Sequence, residues 1–293
     1  MAEMKAFVTG YSGQLGYDVV RELDRRGYES VGVSSKQLDI CDRDAVLDMI
    51  KQIKPDVIFH CAGWTAVDAA EEPENSGKCM AVNAGGAENM AIAAKECGCK
   101  IIYISTDYVF NGLGTEPWKP DCKDYEPLSV YGRSKLEGEL AVARNTDKYF
   151  IVRIAWAFGI NGKNFVKTML NVGKTHSEVR VVNDQIGTPT YTRDLARLLC
   201  DMAETEKYGY YHATNEGGFI SWYDFTKEIY KEAGLSTKVI PVSTEEYGIS
   251  KARRPFNSRL DKSKLTENGF VPLPDWRDAL RRYLEELERA DQK

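Results

Sequence analysis

Histidines and paired cysteines are scarce in this chain of 293 residues. Only three histidines occur, far apart in the sequence, so a histidine-based metal site is not expected and no metal is predicted. The seven cysteines include no C-x-x-C pair, and the two nearest each other, Cys97 and Cys99, have no histidine beside them. This usage is typical of reduced thiols in a cytoplasmic protein rather than of disulfides or a zinc site.

An excess of positive charge and long hydrophobic runs are also missing. Lysine and arginine total 39 against 44 aspartates and glutamates, and the net charge of −5 disfavours general binding to nucleic acid or anionic membranes. No apolar run approaches the ~18 residues of a transmembrane helix. The segment 1–10 is better interpreted as a first strand than as a signal peptide, so we expect a cytoplasmic location.

Short apolar runs alternate with amphipathic helical patterns along the first half of the chain. This alternation predicts an α/β fold: a Rossmann-type doubly wound parallel sheet with a smaller C-terminal substrate-binding cap. We expect residues 1–155 to form a dinucleotide-binding domain, and 156–293 a mixed region that adds late sheet strands and the cap. One helix is predicted over 76–97, and a loop-rich stretch over 241–274. The first five predicted strands are Lys5–Thr9, Ser30–Val33, Val57–Cys61, Ile101–Ser105 and Phe150–Ala155.

A glycine-rich turn follows the first predicted strand. Gly10, Gly13 and Gly16 have the spacing G-x-x-G-x-x-G between a strand and a helix. The first glycine permits a sharp turn, the second lets backbone N–H groups approach a pyrophosphate, and the third lets the helix pack closely on the strand. The helix N-terminus offers free N–H groups to the same anion. The predicted dinucleotide contacts are Gly10, Ser12, Gly13, Gln14, Leu15 and Gly16.

The residues after the second predicted strand indicate which dinucleotide binds. Ser34, Ser35 and Lys36 stand where an acidic residue would accept a hydrogen bond from the ribose 2′-hydroxyl of NADH. Two hydroxyls and a cation suit a 2′-phosphate, so NADPH is preferred over NADH. Further expected contacts are Asp39 and Ile40 beside the adenine, and the small Ala62 and Gly63 at the end of the third strand.

Tyr131 and Lys135 form a Y-x-x-x-K pair, which places a phenol and an ammonium on one face of a helix. A nearby cation favours the phenolate and is expected to lower the pKa of Tyr131 from its usual ~10, which suits a proton donor near neutral pH. Ser105 and Thr106 lie at the carboxyl end of the fourth strand, where ligands of such sheets bind. A hydroxyl there can orient a substrate carbonyl, so the combination predicts hydride transfer between a nicotinamide and a carbonyl.

Taken together, these motifs resemble the dTDP-4-dehydrorhamnose reductase family of the extended short-chain dehydrogenases/reductases. The resemblance implies NADPH- or NADH-dependent reduction of the carbon-4 ketone of dTDP-4-dehydro-L-rhamnose to dTDP-L-rhamnose, a precursor for cell-surface polysaccharide. His60-Cys61 departs from the pattern, because asparagine and alanine are frequent there. The segments that carry the resemblance are Thr65–Glu71, Ser105–Phe110, Pro127–Lys135, Gly162–Met169, Asn183–Thr190 and Arg254–Asp261.

The same resemblance implies roles for individual residues. Asp107 is expected beside the substrate sugar, and Trp156 is expected to pack against it. Gly63, Trp64 and Thr65 are expected to line the cofactor. The implied catalytic residues are Tyr131 as proton donor, Lys135 as its partner and ribose ligand, and Thr106 as the hydroxyl that binds the carbonyl.

The implied partner is a nucleotide sugar, whose diphosphate needs cationic ligands. Arginine forks suit phosphate, so Arg253, Arg254 and Arg259 are candidates. A homodimer is left open, and neither nucleic acid nor membrane is expected as a partner. The candidate ligands of the sugar or diphosphate are Asn164, Gln185 and Thr188.

Two other functions stay open at this point. The first is a sugar-nucleotide epimerase or dehydratase on the same fold, although Tyr108 follows Thr106-Asp107 where a dehydratase typically has an acidic residue. The second is a non-catalytic, NAD(P)-binding regulatory subunit, which the intact Thr106, Tyr131 and Lys135 set disfavours. Net consumption of NADPH separates a reductase from an epimerase, which recycles its cofactor.

Overall fold

The computed structural model describes residues 4–248 and 250–292, apart from the side chain of Asp291. Met1–Glu3, part of the segment predicted to be a strand rather than a signal peptide, lie outside the described residues. The strands are β1 (Lys5–Thr9), β2 (Glu29–Val33), β3 (Val57–His60), β4 (Lys100–Thr106), β5 (Tyr149–Ile154), β6 (Ala157–Phe158), β7 (Glu178–Val182), β8 (Ile186–Gly187), β9 (Thr190–Tyr191), β10 (Gly209–His212), β11 (Asn215–Glu216), β12 (Ile220–Ser221), β13 (Lys238–Val242) and β14 (Leu273–Asp275). The α-helices are α1 (Gln14–Arg26), α2 (Arg43–Ile53), α3 (Pro73–Met80), α4 (Gly86–Cys97), α5 (Val130–Asn145), α6 (Phe165–Thr175), α7 (Thr192–Ala203), α8 (Trp222–Glu232), α9 (Thr244–Tyr247), α10 (Ser263–Glu267) and α11 (Trp276–Asp291).

Six strands form one parallel sheet in the order β2-β1-β3-β4-β5-β10. The inner strands are continuous apolar runs, such as the fully buried β3, because helices cover both faces of the sheet. The chain moves from β1 to one edge at β2 and returns on the other side at β3. A crevice therefore opens at the carboxyl ends of β1 and β3, and the predicted Rossmann-type fold class is confirmed.

Local signals in the sequence set the ends of several helices. Gly27 adopts a left-handed conformation, with φ of 75°, and ends α1 as its position predicts. The Asp42 side chain accepts a hydrogen bond from Ala45 N at 3.0 Å and starts α2. Ser221 and Asp224 form a reciprocal capping box that starts α8. These caps satisfy backbone groups that a helix end otherwise leaves without partners.

Apolar side chains fill both sides of the sheet. One side, covered by α1 and α7, buries residues such as Val8 and Phe59. The other, covered by α2, α4 and α5, buries Phe7 and Ile58 from the same two strands. Burial of each such side chain contributes roughly 1.5–3 kcal/mol to the stability of the fold, so the packing on both faces fixes the positions of the strand ends.

The C-terminal part of the chain contributes both to the main sheet and to a smaller cap. Helix α7 packs on α1, and β10 pairs with β5 at the edge of the sheet. In the cap, β7 pairs in parallel with β13, and α6, α8 and α11 enclose a separate core around Phe158, Phe225 and Trp276. The chain thus crosses between sheet and cap several times after β5.

Two predicted elements differ from the structure. The helix predicted over 76–97 is divided into α3 and α4 by a π-helical segment, Ala81–Gly85. The loop-rich stretch predicted over 241–274 contains the end of β13, α9, α10 and β14. Pro241 concealed β13 in the sequence, because proline disfavours a strand interior but is tolerated in a strand that pairs on one side only, as β13 does with β7.

The described part of the chain contains no helix that could span a membrane and no group of side chains placed to hold a metal ion. No helix within residues 4–248 and 250–292 has the length and apolarity needed to cross a membrane. Within the same residues, no group of three or more histidines, cysteines, aspartates and glutamates is placed to hold a metal ion. The seven cysteines are free thiols.

Candidate active site

A cleft of about 1110 Å³ opens at the carboxyl ends of the central strands and extends under the cap. It is lined by most of the residues predicted for the cofactor: Gly10, Ser12, Gly13, Gln14, Leu15, Ser34, Asp39, Ile40, Ala62, Gly63, Trp64 and Thr65. It is also lined by the residues predicted for chemistry and substrate: Thr106, Asp107, Tyr131, Lys135, Trp156, Asn164 and Arg254. The fold therefore brings residues from distant parts of the sequence into one cleft.

The glycine turn has no room for side chains where it meets the sheet. Gly10 has a φ of 66°, and a Cβ there would lie 2.8 Å from the Ala62 backbone nitrogen. A Cβ on Gly16 would overlap the carbonyl oxygen of Gly10, so this glycine allows α1 to pack against the turn. Gly16 itself does not line the cleft, in contrast to the other residues predicted for the dinucleotide. The turn leaves the N-terminus of α1 open to a pyrophosphate.

The segment after β2 presents hydroxyls at the far end of the cleft. Ser34 and Ser35 line it, whereas Lys36 is exposed and does not. The Ser34 backbone nitrogen and hydroxyl both donate to Gln37 Oε1, at 3.0 Å each. Gln37 therefore fixes the turn whose hydroxyls were predicted to meet the adenosine ribose.

Tyr131, Lys135 and Thr106 converge at the centre of the cleft. Ser129 caps α5 by accepting a hydrogen bond from Gly132 N at 3.0 Å, which orients the first turn of that helix. Thr106 ends β4, and its hydroxyl lies near enough to the Tyr131 phenol to act on the pKa of that group. Lys135, one turn further along α5, is only 7% exposed, and its Nζ would lie 3.9 Å from a Cβ on Gly63.

The pKa values of the central pair differ from the expectation. Burial raises the pKa of Tyr131, and the nearby Asp107 raises it further. Burial also lowers the pKa of Lys135 to about 8. The expected lowering of the Tyr131 pKa by Lys135 is therefore wrong for the chain by itself, because desolvation of the phenolate is the largest cause and Lys135 is not among the groups that shift this pKa. Tyr131 is a neutral phenol at neutral pH, the form that a proton donor needs.

Asp107 is a buried acid beside Thr106. Its Oδ1 accepts from the Thr106 hydroxyl at 3.0 Å. Its Oδ2 has no partner within the described residues. Burial raises the pKa of Asp107 to about 6, against the opposing effect of the nearby Ser258 and Thr106 hydroxyls. A carboxyl oxygen that is buried and unpaired in the cleft is available to a polar ligand group.

The raised pKa predicts how stability responds to pH in an Asp107→Asn variant. The pKa of Asp107 is about 6 in the folded protein, above its ordinary 3.8, because the fold favours the protonated carboxyl group. The stability that this group contributes is therefore fully present below pH 3.8 and is lost as pH rises through about 6. We expect the variant to exceed the parent in free energy of unfolding by up to about 3 kcal/mol at pH 8. The difference should shrink towards pH 4, measured by urea unfolding.

The exposed Asp124→Asn is the matched control, since it removes the same charge at the surface. It should leave the pH dependence of the parent unchanged. A stability difference for Asp107→Asn that stays constant from pH 4 to pH 8 would contradict the assignment.

Trp156 lies in the cleft with a strained backbone. Its φ of 52° is in the left-handed region, which is unusual for a bulky residue. Its indole stacks on that of Trp222, with centroids 3.8 Å apart and planes at 19°. Strain of this kind persists only where the surrounding structure holds it, and it clusters at ligand sites. The pair offers a rigid apolar wall to the cleft.

The candidate cationic ligands are placed differently from one another. Arg254 lines the cleft and donates to both carboxyl oxygens of Asp68, at 3.0 and 2.8 Å. Arg253 and Arg259 do not line it, and Arg259 donates to Asn257 Oδ1 at 3.0 Å. Arg180, which the sequence analysis missed, does line it.

The predicted amide and hydroxyl ligands are already engaged by the chain. Asn164 Oδ1 caps α6, and its Nδ2 donates to Gln14 Oε1 at 3.1 Å and to Tyr283 at 3.0 Å. Gln185 lines the cleft but donates to Thr244 Oγ1 at 3.0 Å. Thr188 lies outside it and donates to the Gly218 carbonyl. Their predicted contact with substrate stays a prediction.

Asn83 was missed because it lies in the π-helical segment. Its Oδ1 accepts from Trp64 N at 2.7 Å, and its Nδ2 donates to the Trp64 carbonyl at 3.0 Å and to Ser134 Oγ at 2.9 Å. It therefore joins the segment after β3 to α5, beside Lys135. Nothing in a helical sequence pattern distinguishes such an asparagine from a surface one.

Comparison with known proteins places this arrangement in a family. The profile of the RmlD substrate binding domain matches residues 4–289. The chain is 40% identical to the spore coat polysaccharide biosynthesis protein SpsK of Bacillus subtilis (strain 168), over 98% of this chain and 99% of that one. It is 39% identical to dTDP-4-dehydrorhamnose reductase of Aggregatibacter actinomycetemcomitans, over 94% and 97%. The chain belongs to the dTDP-4-dehydrorhamnose reductase family.

A solved structure of the same family carries the cofactor type predicted from the sequence. The dTDP-4-dehydrorhamnose reductase of Bacillus anthracis str. Ames, in complex with NADP, has a TM-score of 0.92 to this chain at 40% identity. The match covers 97% of this chain and 99% of that one. The family predicted from the motifs is therefore confirmed, and so is the Rossmann-type architecture of this family member.

Proposed function

We propose that the protein reduces the carbon-4 ketone of dTDP-4-dehydro-L-rhamnose to dTDP-L-rhamnose with NADPH, or with NADH as the second choice. The observation that carries this proposal is the convergence of Thr106, Tyr131 and Lys135 beside the glycine turn, in one cleft of a chain from this family. Curated relatives that match almost the whole chain are named for the same reaction.

The cleft fits a dinucleotide from the turn to the centre. The turn at Gly10 packs directly against the Ala62 backbone because glycine has no Cβ, and the free N–H groups of α1 suit the pyrophosphate. Ser34 and Ser35 are the groups that would meet the adenosine ribose and its 2′-phosphate. Lys135 lies near Gly63, where its ammonium would hold the nicotinamide ribose.

When bound, the reduced nicotinamide supplies the hydride that reaches the carbonyl carbon. Thr106 has a hydroxyl that donates to Asp107 Oδ1, and we infer that it turns to donate to the carbonyl oxygen. Tyr131 gives its phenolic proton to the same oxygen as negative charge develops there. Lys135 stabilises the resulting phenolate until solvent returns the proton. Holding the nicotinamide and the ketosugar in the reactive orientation contributes the most to lowering the activation barrier, on the order of 7–11 kcal/mol at best.

The cap side of the cleft suits a nucleotide diphosphate sugar. The Trp156 and Trp222 stack provides an apolar wall for a deoxysugar ring. The Arg254 guanidinium is held by Asp68 at the cleft surface, where it can meet a diphosphate. The unpaired Oδ2 of Asp107 can accept from a sugar hydroxyl.

Arg254→Ala should raise the KM for the nucleotide sugar by about 10- to 100-fold, with kcat within about threefold, because a hydrogen bond to a charged group contributes ~1.5–3 kcal/mol. Initial rates at varied sugar concentration measure this. Arg259→Ala, in the same loop but outside the cleft, is the control and should change the KM by no more than about twofold. Equal effects of the two substitutions would remove Arg254 from the binding site.

The function is tested by following absorbance at 340 nm with a panel of 4-keto nucleotide sugars and each coenzyme. A reductase oxidises one NADPH per ketosugar, and the product can be identified as dTDP-L-rhamnose. An epimerase would convert the sugar with no net loss of NADPH. A regulatory subunit would bind NADPH and convert no sugar.

We further propose that the protein works in the cytoplasm, where NADPH and nucleotide sugars are available and the free cysteines stay reduced. Its partner is a nucleotide sugar, and a homodimer stays a prediction. Size-exclusion chromatography with light scattering measures the assembly directly.

A further inference from the structure

A row of polar side chains crosses an otherwise apolar side of the sheet. Thr9, His60 and Tyr103 are direct neighbours on β1, β3 and β4, and each is at most 1% exposed. Thr9 Oγ1 and His60 Nδ1 are 2.9 Å apart, and the His60 and Tyr103 rings stack with centroids at 5.9 Å. The proposed reaction uses none of the three side chains. The row ends beneath Lys135.

Tyr103 contacts Lys135 in two ways. The Lys135 ammonium lies 4.2 Å from the centroid of the Tyr103 ring, in cation–π geometry. The Tyr103 hydroxyl donates to the carbonyl oxygens of Lys135 and Asn83, at 3.3 Å each. A Cβ on Gly138 would overlap that hydroxyl, so α5 has a glycine where the phenol approaches it. One buried residue thus contacts both the side chain and the backbone of Lys135.

We propose that Tyr103 is the positioning residue of Lys135 and that its ring supports the ammonium. The proposal rests on the proposed function, in which Lys135 binds the nicotinamide ribose and assists Tyr131. Tyr103 touches neither substrate nor cofactor, and it acts only through Lys135.

The other groups that face the Lys135 ammonium do not supply a free counter-ion. Within the described structure, Glu139 on α5 is the only carboxylate that shifts the pKa of Lys135. Its Oε1 and Oε2 accept hydrogen bonds from the Arg153 guanidinium, at 2.8 and 2.7 Å. Burial raises the pKa of the Cys61 thiol to about 12 and also raises that of Cys79. Burial lowers the pKa of His60 to about 3, so its ring is neutral. The Tyr103 ring therefore provides the direct electrostatic support.

The test compares Tyr103→Leu with Tyr103→Phe and with a matched control, Tyr211→Leu. Tyr211 is also a buried tyrosine of the main sheet with a lysine near its ring, Lys264 at 5.2 Å, but it lies on β10. Tyr103→Leu should lower kcat about tenfold, weaken NADPH binding about tenfold, and move the alkaline decline of kcat down by about one pH unit, because the ammonium loses its support.

Tyr103→Phe keeps the ring, so its kcat should stay within about threefold of the parent value, and the alkaline decline of kcat should stay at the parental pH. Tyr211→Leu should lower the melting temperature without moving the pH profile or the Kd for NADPH. The Kd is measured by fluorescence titration without sugar, so it reports on Lys135 even where turnover is not observed. A parent enzyme that binds NADPH but reduces no ketosugar would disprove the proposed function alone.

A second substitution keeps the test valid if Tyr103→Leu does not fold. Phenylalanine and 3,4,5-trifluorophenylalanine at position 103 have nearly the same shape, but the fluorinated ring attracts cations far less. The fluorinated protein should bind NADPH more weakly, and its kcat should decline at a lower pH, whereas the phenylalanine protein should show neither change. Identical pH profiles and Kd values for the two, or for Tyr103→Leu and Tyr211→Leu, would overturn the proposal.

Discussion

Tyr131→Phe should lower kcat by about 10²- to 10⁴-fold, the usual contribution of a single positioned proton donor. Tyr131 lies with Thr106 in the cleft, and its raised pKa keeps the phenol protonated at neutral pH. Phenylalanine retains the ring and its edge-to-face contact with Tyr108, 5.5 Å between centroids, but has no proton to donate. The Kd for NADPH should stay within about threefold, because the loss falls on the chemical step.

Tyr211→Phe is the control for the loss of a hydrogen bond alone, because Tyr211 is a buried tyrosine that does not line the cleft and its hydroxyl donates to the Lys207 carbonyl. Its kcat should match that of the parent. Stopped-flow single turnovers separate chemistry from product release. A Tyr131→Phe enzyme that reduces the ketosugar at close to the parental rate would assign the proton to another group.

Glu139→Gln should lower the free energy of unfolding by about 3–5 kcal/mol, the usual result of removing one partner of a buried ion pair. Glu139 and Arg153 are both fully buried and joined by two hydrogen bonds, at 2.8 and 2.7 Å. Burial disfavours the guanidinium, whereas Glu139 raises the pKa of Arg153 overall. Arginine stays protonated in proteins even without such a partner, so the charge remains when the carboxylate is removed. Arg153 would then lie buried without an anionic partner.

Glu88→Gln is the matched control, because Glu88 pairs with Arg144 across the surface, with side chains 42% and 62% exposed. Exposed pairs contribute little, so its stability should change by less than about 1 kcal/mol. Guanidinium unfolding at pH 7 measures both variants. Similar losses in the free energy of unfolding for the two substitutions would show that the buried pair contributes no more to stability than the exposed pair.

The cofactor half of the cleft could be predicted from the sequence because its motifs are local. The glycines at 10, 13 and 16 and the Y-x-x-x-K pair need only a strand, a turn and a helix to acquire their geometry, and these follow from periodicity and caps. Gly16 was predicted both to pack α1 on the turn and to contact the dinucleotide; in the structure it packs α1 on the turn and does not line the cleft. The resemblance to the family added the substrate.

The substrate half could not be predicted residue by residue. Three arginines in one loop look alike in the sequence, but only Arg254 meets Asp68 and enters the cleft. Asn164 is polar and near the site, but its amide is engaged by α6, Gln14 and Tyr283. Which polar group is free depends on neighbours more than a hundred residues away, and such contacts leave no local pattern.

Short-range patterns in the chain were enough to predict the strand–helix alternation, the glycine-rich turn and the phenol and ammonium that the fold brings into the cleft. Folding alone decided the charge states of these groups. Burial raises the pKa of Tyr131 and lowers that of Lys135, opposite to what the pair would do to each other in water. The reason is that desolvation depends on every residue packed around a group, and for Lys135 these include Tyr103 from β4. A spacing motif records only the distance between two residues along one helix.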